Sequence, residues 1–259
     1  MTRIPLSTTV TGSGPGLLLA HGAGASIESN FLTLIPTLAQ QHTVVAPNYP
    51  GSGATPRSEE PLTIDGLADA LVESAVAAGV GRFAVLGYSM GTLVAIRAAA
   101  RHPNRVRGLV LTAGLARPDN RVLAALDISK KLLAEGDRKT YARFVAMTYF
   151  SRQFFDSIPR SQLKTFYGLI SRAIPAGAAE QSAAVAEADT TGDLAGISVP
   201  TLVIGATLDN LVAPDNSRFL AAGIPGAEYA EVDAGHVVMM ERPEEWQKLT
   251  LDFLARHGL

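Results

Sequence analysis

The chain contains no cysteine, and it has no long hydrophobic run. The first absence excludes disulfides, thiolate metal sites and cysteine nucleophiles. The opening segment, MTRIPLSTTVTGSGPG, lacks the apolar stretch of a secretory signal, and GLLLA at 16–20 is too short to span a bilayer. A formal charge of −2 gives no general attraction to nucleic acid or to an anionic membrane surface. These absences predict a cytoplasmic protein without a nucleic-acid or membrane partner.

Motifs for bound cofactors are missing as well. The glycine-rich segments GSGPG at 12–16 and PGSG at 50–53 match neither the P-loop nor the dinucleotide fingerprint, so we interpret both as turns. No H-E-x-x-H or comparable cluster of ligands is found. The sequence therefore predicts neither a metal nor a cofactor.

Short β-rich runs alternate with helical patterns along the 259 residues. Such runs are typical of buried parallel strands, and they lie at 17–20, 43–46, 83–87, 108–112, 201–205 and 228–232. Residues 63–79 have helical periodicity, with Thr63 as N-cap and Gly79 as stop, and a last helix is expected to begin at Pro243. The pattern predicts an α/β fold with a doubly wound, mostly parallel sheet.

The alternation stops between residues 115 and 195, where helical patterns occur without a convincing strand. We interpret 115–195 as a helical cap inserted into a single core domain formed by 1–114 and 196–259. In an open α/β sheet the ligand site lies beyond the carboxyl ends of the strands. Catalytic residues are therefore expected directly after strands.

The segment Gly87-Tyr88-Ser89-Met90-Gly91 fits the G-x-S-x-G nucleophile elbow, and it stands where a strand gives way to a helix. A serine needs a base and a group that orients the base. Asp209 follows one strand and His236 the next, which completes the chain order Ser, Asp, His. Asp233 is an alternative acid, but it lies only three residues before His236. A triad acid is expected on a separate loop, which favours Asp209.

Acyl transfer also needs two donors for the developing oxyanion. We expect one from the backbone N–H of Met90 and the other from Ala23, with Gly24 as the alternative, in the loop of LLLAHGAGAS. Of the remaining histidines, His21 is expected to hold that loop by hydrogen bonds. The other three are predicted to be solvated; these are His42, His102 and His257.

The segments HGAG, GYSMG, GATLDN and AGHVVMMERPEEW together resemble the α/β-hydrolase superfamily over nearly the whole chain outside the predicted cap. Within it, the sequence is most similar to compact bacterial esterases, cofactor-free perhydrolases and carbon–carbon bond hydrolases. The resemblance implies Ser89 as nucleophile, His236 as base and Asp209 as its partner, with the amides of Met90 and Ala23 as oxyanion hole. Asn48 stands where many relatives carry an aspartate. A serine at the elbow argues against dehalogenase and epoxide hydrolase activities, which use aspartate there.

The aromatic and basic residues of the predicted cap bear on the class of substrate. Residues 141–167 hold eight of the sixteen aromatic residues, which is consistent with an apolar roof over the site or simply with the core of the cap. The predicted substrate contacts are Phe144, Tyr149, Phe150, Phe154 and Met239. Residues 130–172 contain nine basic and three acidic side chains, a rim that could attract a carboxylate or the phosphate of a carrier-bound acyl chain.

The main prediction is hydrolysis of a carboxylic ester or related acyl compound, with a small apolar acyl molecule as substrate, through an acyl-enzyme. Two alternatives stay open. One keeps the triad and cleaves a carbon–carbon bond or an acyl thioester. The other is a small-ligand-binding protein in which the same scaffold is not catalytic.

Overall fold

The computed structural model describes residues 5–259, which form a seven-stranded sheet in the order β1-β3-β2-β4-β5-β6-β7. The strands are β1 Thr8–Thr11, β2 Gly16–Ala20, β3 Thr43–Pro47, β4 Phe83–Tyr88, β5 Val106–Thr112, β6 Thr201–Ala206 and β7 Glu228–Val232. Strands β2 to β7 are mutually parallel, and β1 alone pairs antiparallel, with β3. The predicted α/β fold with a doubly wound, mostly parallel sheet is confirmed.

The first helices pack on the two faces of the sheet. They are α1 Ile27–Phe31, α2 Ile35–Leu38, α3 Ile64–Ala77 and α4 Met90–Arg101. The predicted N-cap of α3 is confirmed, because the Thr63 side chain accepts a hydrogen bond from the Gly66 N–H at 3.1 Å. Its apolar face packs into the core that β2, β4 and α4 share. Helix α3 thus covers one face of the sheet, as the helical periodicity indicated.

Helices without an intervening strand connect β5 to β6. They are α5 Asn120–Ala134, α6 Arg138–Tyr149, α7 Arg152–Ser157, α8 Leu163–Ala173 and α9 Ala178–Ala186, followed by a 3-10 turn at Thr191–Gly196. Residues of α5 and α9 belong to the same hydrophobic core as one face of the sheet. The division of the chain into a core at 1–114 and 196–259 and a cap at 115–195 stays a prediction.

The remaining helices are α10 Pro214–Gly223, α11 Val238–Glu241 and α12 Pro243–His257. Pro243 stands at the start of α12, as predicted, and Gly258 ends that helix with a left-handed φ of 58°. The second face of the sheet packs against α1 and α12, with Phe31, Trp246 and Phe253 fully or almost fully buried. The sheet therefore has helices on both faces, and its carboxyl edge is free to carry a site.

His42 does not lie on the surface, so the prediction of a solvated side chain is wrong. The residue is 5% exposed, and its ring nitrogens lie 3.1 Å from the Leu38 carbonyl oxygen and 2.9 Å from an oxygen of Leu259. The histidine links the end of α2 to the segment after α12. His102 and His257 are partly exposed and face the carboxylates of Asp69 and Glu228 at 2.8 Å each.

Candidate active site

Ser89 occupies a strained turn between β4 and α4. Its φ of 53° and ψ of −120° lie in a region that residues with a side chain rarely adopt. The flanking glycines make the turn possible: a Cβ on Gly91 would stand 1.9 Å from the Ala20 carbonyl oxygen, and one on Gly87 would stand 2.5 Å from the Gly91 carbonyl oxygen. The backbone of the helix therefore approaches β2 and β4 so closely that only glycine fits, and the serine hydroxyl is presented at the sheet edge.

Ser89, His236 and Asp209 form a continuous hydrogen-bonded chain. The Nε2 atom of His236 lies 2.9 Å from the Ser89 Oγ, and the His236 Nδ1 lies 2.6 Å from Asp209 Oδ2. The histidine is 1% exposed and the Asp209 side chain is fully buried. These contacts join residues that follow β4, β6 and β7, because parallel strands bring their carboxyl ends to one edge.

Asp209 is fixed independently of the histidine. Its Oδ1 accepts hydrogen bonds from the backbone N–H groups of Leu211 and Val212, each at 2.8 Å. Asp233, the alternative acid, is exposed and accepts a hydrogen bond from the Thr207 hydroxyl at 2.6 Å. The structure thus places Asp209, and not Asp233, against the imidazole.

The loop after β2, which carries Ala23, lies next to Ser89 and lines the same cavity. Within residues 5–259, neither the Ala23 N–H nor the Met90 N–H donates a hydrogen bond to another group. Ala23 and Ser89 line one cavity, and a Cβ on the neighbouring Gly22 would lie 3.3 Å from the Ser89 Cβ. Two unpaired backbone donors beside a serine hydroxyl are the groups from which an oxyanion hole is built.

Hydrogen bonds from three elements hold that loop in place. The Asn30 side chain accepts from the Gly22 N–H at 2.9 Å, and the Gln181 side chain accepts from the Gly24 N–H at 2.9 Å. His21 donates from Nδ1 to the Gly22 carbonyl at 2.8 Å and accepts at Nε2 from the Tyr49 N–H at 3.0 Å. The structural role predicted for His21 is confirmed, and burial lowers its pKa to about 4, so the ring is neutral at pH 7.

The segment that carries His236 is held from two sides. The Tyr88 hydroxyl donates to the His236 carbonyl at 2.9 Å. The buried Glu241 carboxylate accepts from the backbone N–H of Ser151 at 2.8 Å and from its hydroxyl at 2.5 Å, which anchors the segment to the start of α7. Sequence reasoning missed both Glu241 and Gln181. Both residues stand next to other polar or charged residues in the sequence, so nothing in the local pattern distinguishes them.

A cavity of about 160 Å³ opens over Ser89 between the loop after β2 and the inserted helices. Its apolar wall comes mainly from Val145, Phe150, Ile170, Ile174 and Val237. Within residues 5–259, no lysine, arginine, aspartate or glutamate lines it. The cavity is therefore small and mostly apolar, and no acidic side chain, lysine or arginine of the described residues contributes to its wall.

Two of the five predicted substrate contacts, Tyr149 and Phe150, line this cavity. The other three do not. Phe144 packs against the core on the α3 and α4 face of the sheet. Phe154 stacks on Phe150 with ring centroids 5.3 Å apart, and Met239 is buried in the core on the α1 and α12 face. Met240 lines the cavity instead, because the helical turn at α11 directs successive side chains to different faces.

The described part of the chain, residues 5–259, contains no cluster of three or more His, Cys, Asp or Glu side chains able to hold a metal ion. It also contains no helix that is both long enough and apolar enough to span a bilayer.

Comparison with known proteins identifies the family. The profile of the family described as alpha/beta hydrolase fold matches residues 15–243. The chain belongs to the α/β-hydrolase family. This agrees with the resemblance of the elbow and histidine segments, so that prediction is confirmed.

Individual relatives cover the chain almost from end to end. The pyrrolizixenacetamide deacetylase of Xenorhabdus hominickii is 34% identical over 96% of this chain and 94% of its own length. The pimeloyl-[acyl-carrier protein] methyl ester esterase of Neisseria meningitidis is 31% identical over 91% of this chain and 92% of its own. The crystal structure of the enol-lactonase from Burkholderia xenovorans superposes with a TM-score of 0.84 at 25% identity, over 98% of this chain and 99% of that one. These relatives are hydrolases, and this α/β-hydrolase is an enzyme of the same kind; the non-catalytic alternative is not retained.

Proposed function

We propose that this α/β-hydrolase cleaves esters or amides of small carboxylic acids through an acyl-enzyme on Ser89. The observation that carries the proposal is the hydrogen-bonded chain from Ser89 through His236 to Asp209. An isolated serine hydroxyl is a weak nucleophile, whereas one within 2.9 Å of a histidine Nε2 can lose its proton as it attacks.

The reaction would proceed in two halves. His236 takes the Ser89 proton while Oγ attacks the carbonyl carbon, and the N–H groups of Ala23 and Met90 hold the oxyanion. His236 then gives the proton to the leaving alcohol or amine, and the acyl-enzyme forms. Water, deprotonated by the same imidazole, attacks the acyl carbon, and His236 returns the proton to the Ser89 Oγ as the bond to the acyl group breaks and the acid leaves. Asp209 keeps the proton of the neutral imidazole on Nδ1, so that Nε2 is free to accept the serine proton. It also stabilises the imidazolium that then forms.

The small cavity supports a short acyl or alcohol group. Ligand pockets for drug-sized molecules have volumes of about 300–1,000 Å³, whereas this one has about 160 Å³. The named relatives act on an acetamide and on a methyl ester, each with one small group beside the carbonyl. We therefore place short-chain esters and acetylated amines first among substrates.

Covalent labelling tests the mechanism. A fluorophosphonate should add to the wild-type protein once, at Ser89, as measured by intact mass and peptide mapping. Ser89→Ala should not label, and its kcat for p-nitrophenyl acetate should fall by at least about 10³-fold. Ser157→Ala, at an exposed serine of α7, is the matched control and should label normally. Turnover by Ser89→Ala at the wild-type rate would contradict the proposal.

The same groups could also hydrolyse a thioester or a carbon–carbon bond next to a carbonyl. Product analysis separates these reactions, because a thioester releases a free thiol and a β-diketone releases a ketone and an acid. We expect oxygen esters or amides to have the highest kcat/KM. A kcat/KM for a diketone above that for every ester tested would reassign the reaction.

A carrier-bound acyl substrate is a second candidate, favoured by a basic groove. The exposed cations Lys139, Arg143, Lys164 and Arg172 line a groove of about 590 Å³ between α6 and α8, and the Arg143 guanidinium lies over the Tyr167 ring at 5.5 Å. Such a surface attracts phosphate and acidic partners. The Neisseria relative acts on a carrier-linked ester, as its name states.

Charge removal tests this candidate. In the variant Lys139→Gln/Lys164→Gln, kcat/KM for a methyl ester carried on an acyl carrier protein should fall at least about five-fold, and the fall should diminish in 0.5 M salt. The free methyl ester should react at an unchanged rate. If kcat/KM for the carrier-linked ester were the same in the variant as in the wild type, the carrier-bound substrate would be excluded.

A further inference from the structure

Three tyrosines line the cavity over Ser89, and two of their hydroxyls have no hydrogen-bond partner among the described residues. The Tyr88 hydroxyl donates to the His236 carbonyl at 2.9 Å. Across residues 5–259, the hydroxyls of Tyr141 and Tyr149 make no hydrogen bond. Tyr141 is 6% exposed and lines the cavity, and its hydroxyl is not among the fully buried, unpaired polar atoms of the described residues. A hydroxyl without a protein partner on the cavity wall can donate a hydrogen bond to an occupant of the cavity.

The fold places these two phenols on one face of α6, with Tyr141 beside the loop after β2 and Tyr149 beside His236. Tyr141, Val145 and Tyr149 are spaced by four residues, so they share the face of α6 that looks into the cavity. A methyl group on Gly24 would lie 3.6 Å from the Tyr141 hydroxyl oxygen, which puts that hydroxyl beside the loop of Ala23. The Tyr149 ring meets the His236 ring edge-on at 89°, with centroids 5.3 Å apart. A substrate whose carbonyl carbon is within reach of Ser89 would thus lie against both rings.

The occupant of this position should be polar and uncharged. The lining residues include no cation to pair with a carboxylate and no carboxylate to pair with an ammonium group. Burial raises the pKa of both phenols, so they remain protonated hydrogen-bond donors throughout the neutral range. The rest of the wall is apolar. An ether, ketone or hydroxyl oxygen satisfies these conditions.

From this geometry we propose that Tyr141 and Tyr149 are specificity-determining residues that donate hydrogen bonds to an uncharged oxygen of the substrate other than the reacting carbonyl. The enzyme therefore prefers small esters with a second oxygen over all-hydrocarbon esters of the same shape. This inference rests on the proposed serine hydrolase function. It adds to it the class of substrate that the cavity selects.

Matched ester pairs test the preference. In the acyl arm, methyl methoxyacetate is compared with methyl butanoate; in the alcohol arm, 2-methoxyethyl acetate is compared with butyl acetate. Each pair differs by one oxygen in place of one methylene, and each kcat/KM is divided by the hydroxide-catalysed rate of the same ester. The wild-type ratio of oxygen ester to hydrocarbon ester should exceed about five in at least one arm. The arm that shows the preference tells which side of the ester the phenols contact.

Removing each hydroxyl assigns the preference to the two tyrosines. Tyr141→Phe and Tyr149→Phe should each lower the ratio about two- to three-fold towards one, the lower range of one neutral hydrogen bond, mainly through KM. Tyr229→Phe, on β7 and away from the cavity, is the matched control and should leave the ratio unchanged. A ratio near one in both arms of the wild type, or an equal fall for both members of each pair in the variants, would overturn the inference.

Fluorophosphonate labelling of the same preparations separates this inference from the function on which it rests. A wild-type preparation that reacts with the fluorophosphonate at Ser89 and, before labelling, hydrolyses butyl acetate without any preference for oxygen would remove only the tyrosine assignment. Wild-type protein that neither labels at Ser89 nor hydrolyses any of the four esters would overturn both.

Discussion

The side-chain amide of Gln181 ties helix α9 to the loop that carries Ala23. Its Oε1 accepts a hydrogen bond from the Gly24 N–H at 2.9 Å, while its Nε2 donates to the Pro50 carbonyl at 3.1 Å and to the Ser52 hydroxyl at 2.8 Å. The residue is fully buried. One side chain therefore fixes two loops against the inserted helices, and we assign it a positioning role for the Ala23 N–H.

Replacing Gln181 should damage both the fold and the reaction. Gln181→Ala removes the partner of the partly buried Gly24 N–H and of the buried Pro50 carbonyl, and it removes one of two partners of the Ser52 hydroxyl, so we expect the free energy of unfolding to fall by about 2–4 kcal/mol. We also expect kcat to fall more than KM rises, because a misplaced Ala23 N–H would weaken binding of the oxyanion and not of the substrate. Urea unfolding and steady-state kinetics on p-nitrophenyl acetate measure the two effects.

Gln162→Ala is the control for this experiment, since Gln162 is exposed at the start of α8 and its side chain makes no cap hydrogen bond. It should change neither quantity by more than about 0.5 kcal/mol. If Gln181→Ala raised KM with kcat unchanged, the side chain would serve substrate binding rather than the oxyanion loop.

The acid partner of His236 can be decided by two conservative substitutions. Asp209→Asn retains the acceptor for the N–H groups of Leu211 and Val212, but it presents an amide to the histidine, which forces the imidazole into the wrong tautomer. We expect kcat to fall by about 10⁴-fold with the fold intact. Asp233→Asn alters an exposed carboxylate and should stay within two-fold of wild type. The opposite ranking would make Asp233 the functional acid.

The inner parallel strands were predictable because they are buried on both faces. Strands β4 and β6 have no exposed residue, so each reads as an almost entirely apolar run. Strand β1 was not predicted, because it lies at the sheet edge with the polar sequence TTVT, two of whose residues are exposed. Strand β7 lies at the other edge and also has two exposed residues, so burial on both faces produced the signal for the inner strands only.

The positions of Ser89, Asp209 and His236 could be expected for a related reason. Each follows a strand, and a parallel sheet gathers the ends of its strands at one edge. Gln181 and Glu241 could not be identified in this way. Their hydrogen-bond partners lie 157 and 90 residues away, and a polar residue on a helix normally faces solvent. Asn48, the departure from many relatives, accepts at Oδ1 from the Ile27 N–H at 2.9 Å at the start of α1.

The backbone at Ser89 should store measurable strain. A residue with a side chain at φ 53°, ψ −120° carries about 1–3 kcal/mol of strain, which glycine does not. We therefore expect Ser89→Gly to have a higher free energy of unfolding than Ser89→Ala, by about 1 kcal/mol. Both variants lose the hydrogen bond to His236, so urea unfolding of the pair isolates the backbone term.

The sign of that difference is informative, because at ordinary helical or extended positions glycine is less stable than alanine by about 0.5–1 kcal/mol. Both variants should lack ester hydrolysis, so greater stability would accompany lost activity. Glycine below alanine at this position would mean that the turn is not strained in solution.

Buried His21 should make the fold sensitive to mild acid. Its pKa is lowered by burial from 6.5 to about 4, whereas in the unfolded chain it titrates near its ordinary value. Above pH 6.5 both states are neutral and the stability contributed by this group is constant. Between pH 6.5 and pH 4 the unfolded state binds a proton that the folded state does not, so this group lowers the free energy of unfolding by about 1.4 kcal/mol per pH unit.

Urea unfolding of wild type and His21→Gln at pH 7, 6 and 5 measures this effect, because glutamine can replace a donor and an acceptor but cannot titrate. We expect the stability of the wild type to fall more steeply below pH 6.5, with the two slopes differing by up to about 1.4 kcal/mol per unit. The difference between slopes cancels the contributions of carboxylates such as Asp69, whose pKa is lowered by its hydrogen bond to Arg101. An NMR titration of the His21 ring in the folded protein gives a second reading that needs no variant. A midpoint near 6.5 there, or parallel slopes in the two unfolding series, would contradict a neutral, buried imidazole holding the loop that leads to Ala23.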